Sequence, residues 1–153
     1  CGTCHAGAFA AFKESRHYLL LAERNVHGPT CSTCHDAVAG RLLSASGLGK
    51  QCSACHGPDD PAARSGRAQE ARRAYEALAV VRSQLTLAHA MIRRVDDRQR
   101  QADLAAAYDA ARAPLTRAIS AGHRFVYDEM RTSLGVAQAR TEALMQRIAN
   151  PAN

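Results

Sequence analysis

The chain has 153 residues, with 20 Lys and Arg against 14 Asp and Glu, a formal net charge of +6. That length suits one domain or two small ones. Aromatic residues make up only 5 %, with no Trp, which excludes a large aromatic core; helix-favouring Ala, Leu, Arg and Gln are plentiful, so the expected fold is mostly α. No apolar run approaches the ~18–20 residues of a membrane span, and the longest, 18–22, is far too short.

The chain opens on Cys1. A functional Cys at a mature N-terminus would be unusual, so a secretion signal or lipid anchor is expected upstream, and any membrane association would run through that anchor.

Six cysteines follow in three pairs of one spacing, each pair followed at once by His. They are Cys1-Gly-Thr-Cys4-His5, Cys31-Ser-Thr-Cys34-His35 and Cys52-Ser-Ala-Cys55-His56. No Cys is left over. This pattern reads as attachment of c-type haem. Two thiols three residues apart can reach the vinyl groups on one porphyrin edge. The next residue then offers an imidazole nitrogen to the iron, and neutral imidazole suits both iron oxidation states. Zinc sites, redox dithiols and disulfides also use Cys pairs. None of them explains a His after all three pairs. The expected cofactors are three covalently bound haem c groups, held by Cys1, Cys4, Cys31, Cys34, Cys52 and Cys55, with His5, His35 and His56 as proximal iron ligands.

Four further histidines remain for the opposite faces of three irons: His17, His27, His89 and His123. A second imidazole would favour low potential, whereas Met would raise it. His17 and His27 lie inside the haem-dense segment, where almost any side chain is near a porphyrin.

The stretch Cys1-Gly-Thr-Cys-His-Ala-Gly-Ala-Phe-Ala-Ala-Phe-Lys-Glu-Ser-Arg-His17 resembles the opening of the multihaem cytochromes of nitrogen-cycle bacteria. That family includes the tetrahaem cytochrome partner of hydroxylamine oxidoreductase and its octahaem relatives. In it, an attachment motif is followed by an aromatic residue, a helical turn and a Ser-x-His whose His commonly serves as a distal haem ligand. The resemblance implies that role for His17. The segment 27–35 is similar to the family's second haem motif, and the likeness covers roughly residues 1–57. The family's enzymes carry a special catalytic haem, with Lys in place of the motif His or a Tyr crosslinked to the ring. All three motifs here end in His, which favours plain electron transfer.

The chain divides near 57–66, where Gly57-Pro-Asp-Asp-Pro61 and Ser65-Gly66 are turn-forming. Residues 1–60 form a triple-haem segment and 61–153 a helical domain. With one haem per ~20 residues, the first segment is too short to bury an ordinary side-chain core. The porphyrins would be its core, close enough together for electron hopping. One or two short helices are expected there, such as 6–24, with otherwise irregular chain.

Three helices are expected in the second part, packed as an antiparallel bundle or hairpin. The first carries an apolar stripe of Ala71, Tyr75, Leu78, Val81, Leu85, Ala88, Ile92 and Val95, and Asp96-Asp97 should break it. The second carries Leu104, Tyr108, Ala111, Leu115 and Ile119. Pro114 should kink it and Gly122 should stop it. The third should start with Asp128 as N-cap, with Met130, Leu134, Ala137, Thr141, Leu144 and Ile148 along one face. His123, near a helix end, is favoured as the third distal ligand, because the resembled family places a ligand on or near its C-terminal helices. His89, bordering the first stripe, is held in reserve.

Residues 1–60 hold five basic and five acidic side chains, so the +6 lies wholly in residues 61–153. Haem propionates would add about two negative charges per haem to the first part, making a charge dipole able to steer a redox partner or a neighbouring copy. The Arg residues are spread around helices with no dense basic run and no aromatic platform, so no nucleic-acid partner is expected. The expected function is single-electron transfer by a trihaem, mainly bis-His cytochrome acting with redox partner proteins, in a homo-oligomer or larger redox assembly. It would lie in the periplasm or outside the cell. The alternative is an enzyme with one open-faced haem acting on a small nitrogen or sulfur compound.

Overall fold

The computed structural model describes residues 1–23, 28–35, 43–59 and 66–150. Among these the chain is helical, with no extended strand. In order come α1 (Ala6–Lys13), α2 (Arg16–Ala22), α3 (Cys31–Cys34), α4 (Ala45–Ser53), α5 (Arg67–Ile92), α6 (Arg98–Arg124) and α7 (Tyr127–Ala149). No helix among the described residues is long and apolar enough to cross a membrane.

The stretch 6–24 holds two helices, α1 and α2. Ser15 leaves the helical region (ψ 151°), and its side chain accepts the backbone N–H of Tyr18 at 3.0 Å, capping α2. A Ser at an N-cap satisfies an otherwise orphaned donor, and here it also lets α1 and α2 change direction. The described residues before 60 hold helices in pieces of four to nine residues.

The chain forms two compact units. The first is Cys1–Glu76 with Ser120–Tyr127; the second is Ala77–Ile119 with Asp128–Asn153. In the first, α4 buries Leu48 (1 % exposed). Gly49, on the same helix, lies where an added Cβ would be 3.5 Å from the Cβ of Arg72 on α5. Apart from Leu48 and Tyr127, the buried apolar side chains described in this unit are alanines: Ala11, Ala68, Ala71, Ala74 and Ala121.

The second unit has an ordinary side-chain core. Leu78, Val81, Leu85, Ala88 and Ile92 of α5 are buried, as are Leu104, Ala111, Leu115 and Ala118 of α6 and Met130, Leu134, Ala137 and Leu144 of α7. Each Leu, Ile or Met so placed contributes roughly 1.5–3 kcal/mol relative to exposure. Cross-links give the helix directions. Gln101 Nε2 donates to the Ile92 carbonyl and His89 lies against Tyr108, so α5 and α6 run antiparallel. Arg100 Nη2 donates to the Ile148 carbonyl and Arg140 Nη1 to the Ala110 carbonyl, so α6 and α7 also run antiparallel. Thr141, 0 % exposed, places its hydroxyl on the Ala137 carbonyl at 2.7 Å, so no polar group is stranded there.

Four details depart from the sequence reading. Helix α6 runs on through Pro114, whose ring is fully buried. Its core face passes through Leu115 and Ala118, leaving Ile119 37 % exposed. Asp128 lies in the first turn of α7 instead of capping it. Gly122 is an interior residue of α6 and does not stop it. The stop falls at Phe125, which adopts φ 60°. The N–H of Phe125 donates to the Gly122 carbonyl at 3.1 Å and that of Val126 to the Ala121 carbonyl at 3.0 Å. This pair of bonds around a left-handed residue is the Schellman helix ending.

Candidate functional site

The three Cys-x-x-Cys-His stretches share one backbone turn. In each, the N–H of the His donates to the carbonyl of the first Cys, at 2.9 Å for His5 to Cys1, 3.0 Å for His35 to Cys31 and 2.8 Å for His56 to Cys52. Each is thus one helical turn, with three different settings. The first precedes α1, with His5 at its N-cap position. The second is α3 itself, held by a capping box between Thr30 and Thr33. The third closes the C-terminal end of α4. In a helical turn, positions i, i+3 and i+4 are neighbours on one face. Both thiols and the imidazole of each motif therefore start from the same side of their turn.

All six cysteines are free thiols; Cys1, Cys4, Cys31 and Cys55 are exposed, and Cys34 and Cys52 half-buried. Burial, with Cys52 and then Cys31 nearby, pushes the Cys34 thiol up to about 11, and burial also raises Cys52. The second and third motifs therefore lie close together. Tyr75 and Tyr127 pack edge to face beside them, ring centroids 6.5 Å apart. Both phenols are raised first by burial, then Tyr75 by the Cys34 and Cys52 thiols, and Tyr127 by Tyr75 ahead of those thiols.

The histidines are distributed unevenly. His35 and His123 face each other with ring centroids 6.2 Å apart and planes 11° from parallel. His17 and His56 have centroids 6.0 Å apart and planes at 71°. Two imidazoles on opposite sides of one metal, each bound at about 2.0–2.1 Å, have centroids about 6 Å apart. Each pair joins a motif His to a His from elsewhere: His123 from the end of α6, and His17 from α2. His5 is exposed, at the start of α1. His27 lies outside the described residues. His89 lies in the second unit, exposed, 5.3 Å from the Tyr108 ring. No group of three or more His, Cys, Asp or Glu among the described residues is arranged to hold a metal ion. A haem iron asks the protein for only two axial donors, and the separations within the two His pairs are of that size.

An aromatic cluster backs the His17 pair. Phe9 and Phe12 both meet Tyr18 edge-on, at 6.0 and 5.7 Å, and Phe12 meets Phe125 at 6.3 Å. Phe125 in turn lies 4.1 Å from the His17 ring. Gly2, inside the first motif, runs so close to Phe9 that an added Cβ would lie 2.8 Å from its ring. A distant ion pair, Arg124 to Glu14 at 3.9 Å, links the end of α6 to the end of α1; at that separation and exposure it adds little. The sequence reading missed Tyr75, Tyr127 and Phe125 as neighbours of the site. Only the closeness of Phe125 to His123 in the chain pointed toward it.

Comparison with protein-family models, with curated proteins and with solved structures returns no match.

Proposed function

We propose that the chain is a trihaem c-type cytochrome that carries single electrons, and that it is not an enzyme. The observation that carries this reading is the recurrence of one helical Cys-x-x-Cys-His turn in three settings, two of whose histidines face a second imidazole at an axial-pair separation. Bound haem supplies reversible one-electron exchange at iron. The chain's part is attachment, ligation and insulation. Cys1 and Cys4, Cys31 and Cys34, and Cys52 and Cys55 form the thioether links. His35 with His123 and His56 with His17 would hold two of the irons, and His5 would hold the third, for which the sequence offers His27. Two imidazoles per iron leave no open face for a substrate and favour low potential.

Two further observations support the reading. Among its described residues the first unit buries few large apolar side chains, as expected where a bulky prosthetic group takes that place. The two His pairs are also close: His123 and Phe125 are two residues apart, at most about 7 Å of chain, and Phe125 lies against His17. Sites so near each other suit rapid electron exchange. Haem c must be attached outside the cytoplasm, so the protein works in the periplasm or beyond it, with redox proteins or further copies of itself as partners. Its excess positive charge, confined to residues 61–153, would steer those encounters.

The test is the intact mass of the chain produced alongside a c-type maturation system. The reading expects the mass of three haems above that of the polypeptide, retained under denaturing conditions. A chain leaving the same cells with six free thiols would sink it.

A further inference from the structure

Helix α6 reverses the usual order at its end. Gly122 lies inside the helix, where its freedom is not needed, and the bulky Phe125 takes the left-handed position. That position normally goes to Gly, and a bulky residue with positive φ is uncommon enough to ask for a reason. Strain of this kind persists only where the surroundings hold it, and it gathers at functional sites.

The reason lies in what the bend does with the ring. A Gly there would end α6 equally well, because the bonds that close the helix are made by backbone N–H groups. Only a side chain gains from the turn. The ring of Phe125 lands 4.1 Å from His17 in an edge-to-face arrangement, and 6.3 Å from Phe12. His17 faces His56, while His123, two residues before Phe125, faces His35. One residue therefore touches one histidine pair and lies two positions along the chain from a member of the other.

We infer that Phe125 is a positioning residue for the distal histidines: its left-handed backbone ends α6 just beyond His123, and its ring holds His17 in its axial orientation. This rests on the trihaem reading above. The 71° between the His17 and His56 planes is the orientation the ring would hold in place.

The experiment compares holoprotein with F125G, F125L and F125Y. Each is assayed for haem per chain, thermal midpoint and carbon monoxide binding after reduction, since carbon monoxide reports an iron that has lost an axial ligand. F125G should keep three haems, and its thermal midpoint shows that it is folded, the relief of the backbone at Gly working against the lost packing of the ring on Phe12. It should nonetheless bind carbon monoxide at roughly one haem per chain, where wild type binds none. F125Y, which keeps a ring, should behave as wild type. Should F125G fail to fold, F125L decides the matter by the same gas-binding readout. The inference is overturned if the folded ringless variant takes up no more carbon monoxide than wild type. Wild-type protein lacking three haems would instead refute the trihaem reading, so the two failures are distinguishable.

Discussion

Pro114 sits in the middle of α6 and cannot donate to the carbonyl of Ala110, one turn earlier. That carbonyl is taken by Arg140 Nη1 of α7 at 2.8 Å. An interior Pro ordinarily costs a helix about 3 kcal/mol relative to Ala, part of it through the lost hydrogen bond. Arg140 replaces that bond from a different helix. The change R140M keeps most of the stem and removes the donor. A net hydrogen bond is worth about 0.5–1.5 kcal/mol. Both Arg140 and Ala110 are exposed, so water partly replaces the donor, and the lower half of that range applies. At about 2–4 °C per kcal/mol for a chain this long, the thermal midpoint should fall by about 2–3 °C. In a P114A background the new N–H at position 114 reaches the Ala110 carbonyl within the helix. There R140M should cost less than about 0.3 kcal/mol, leaving a coupling of roughly 0.5 kcal/mol. P114A itself should stabilise by about 1–2 kcal/mol, the helix gain less the lost burial of two ring carbons. Thermal and denaturant unfolding, followed by far-ultraviolet circular dichroism, measure all four proteins. Equal costs of R140M in both backgrounds would refute the compensation.

Other outcomes follow from the site. On the proposed function, the double change C31S/C34S should lower haem from three per chain to two, read by intact mass, because those thiols would be the covalent link of the second motif. H123A should keep all three haems but give one high-spin iron, and the potential of that haem should rise, because His35 would have lost its partner. An alkaline titration should show late phenolate formation that Y75F/Y127F abolishes. Burial holds both phenols in the neutral form, so their contribution to stability is complete below about pH 10, the ordinary Tyr value, and is lost as pH rises above it. The protein should therefore lose stability at the alkaline end, and less steeply in Y75F/Y127F.

How much of this was legible in the sequence depended on range. The Cys-x-x-Cys-His turns are local, five residues each, and their spacing already implied a single face. The stripes of α5 and α7 were legible because one sustained face, such as Met130, Leu134, Ala137, Thr141 and Leu144, fits a single helix in a bundle. The face of α6 shifted from Ile119 to Ala118, a choice between neighbouring positions that periodicity alone cannot make. Gly122 misled because it is a local signal answered from elsewhere, by the left-handed Phe125 that ends the helix instead; at Pro114 the helix continues, with Arg140 supplying the missing donor. Ser15 has the N-cap chemistry that broke the first helix, but in an Ala-rich run it does not stand out. The pairing of histidines was not readable at all. His35 and His123 are 88 positions apart, and only the fold brings them face to face.

The most direct measurement is low-temperature electron paramagnetic resonance of the fully oxidised protein, with haem quantified on the same sample. The account predicts three haems per chain, all low-spin, with two distinct signals from the near-parallel pair of His35 and His123 and the crossed pair of His17 and His56. A high-spin signal matching one haem per chain, in an intact sample with three haems, would contradict an electron carrier with closed irons and make the open-faced enzyme the better description.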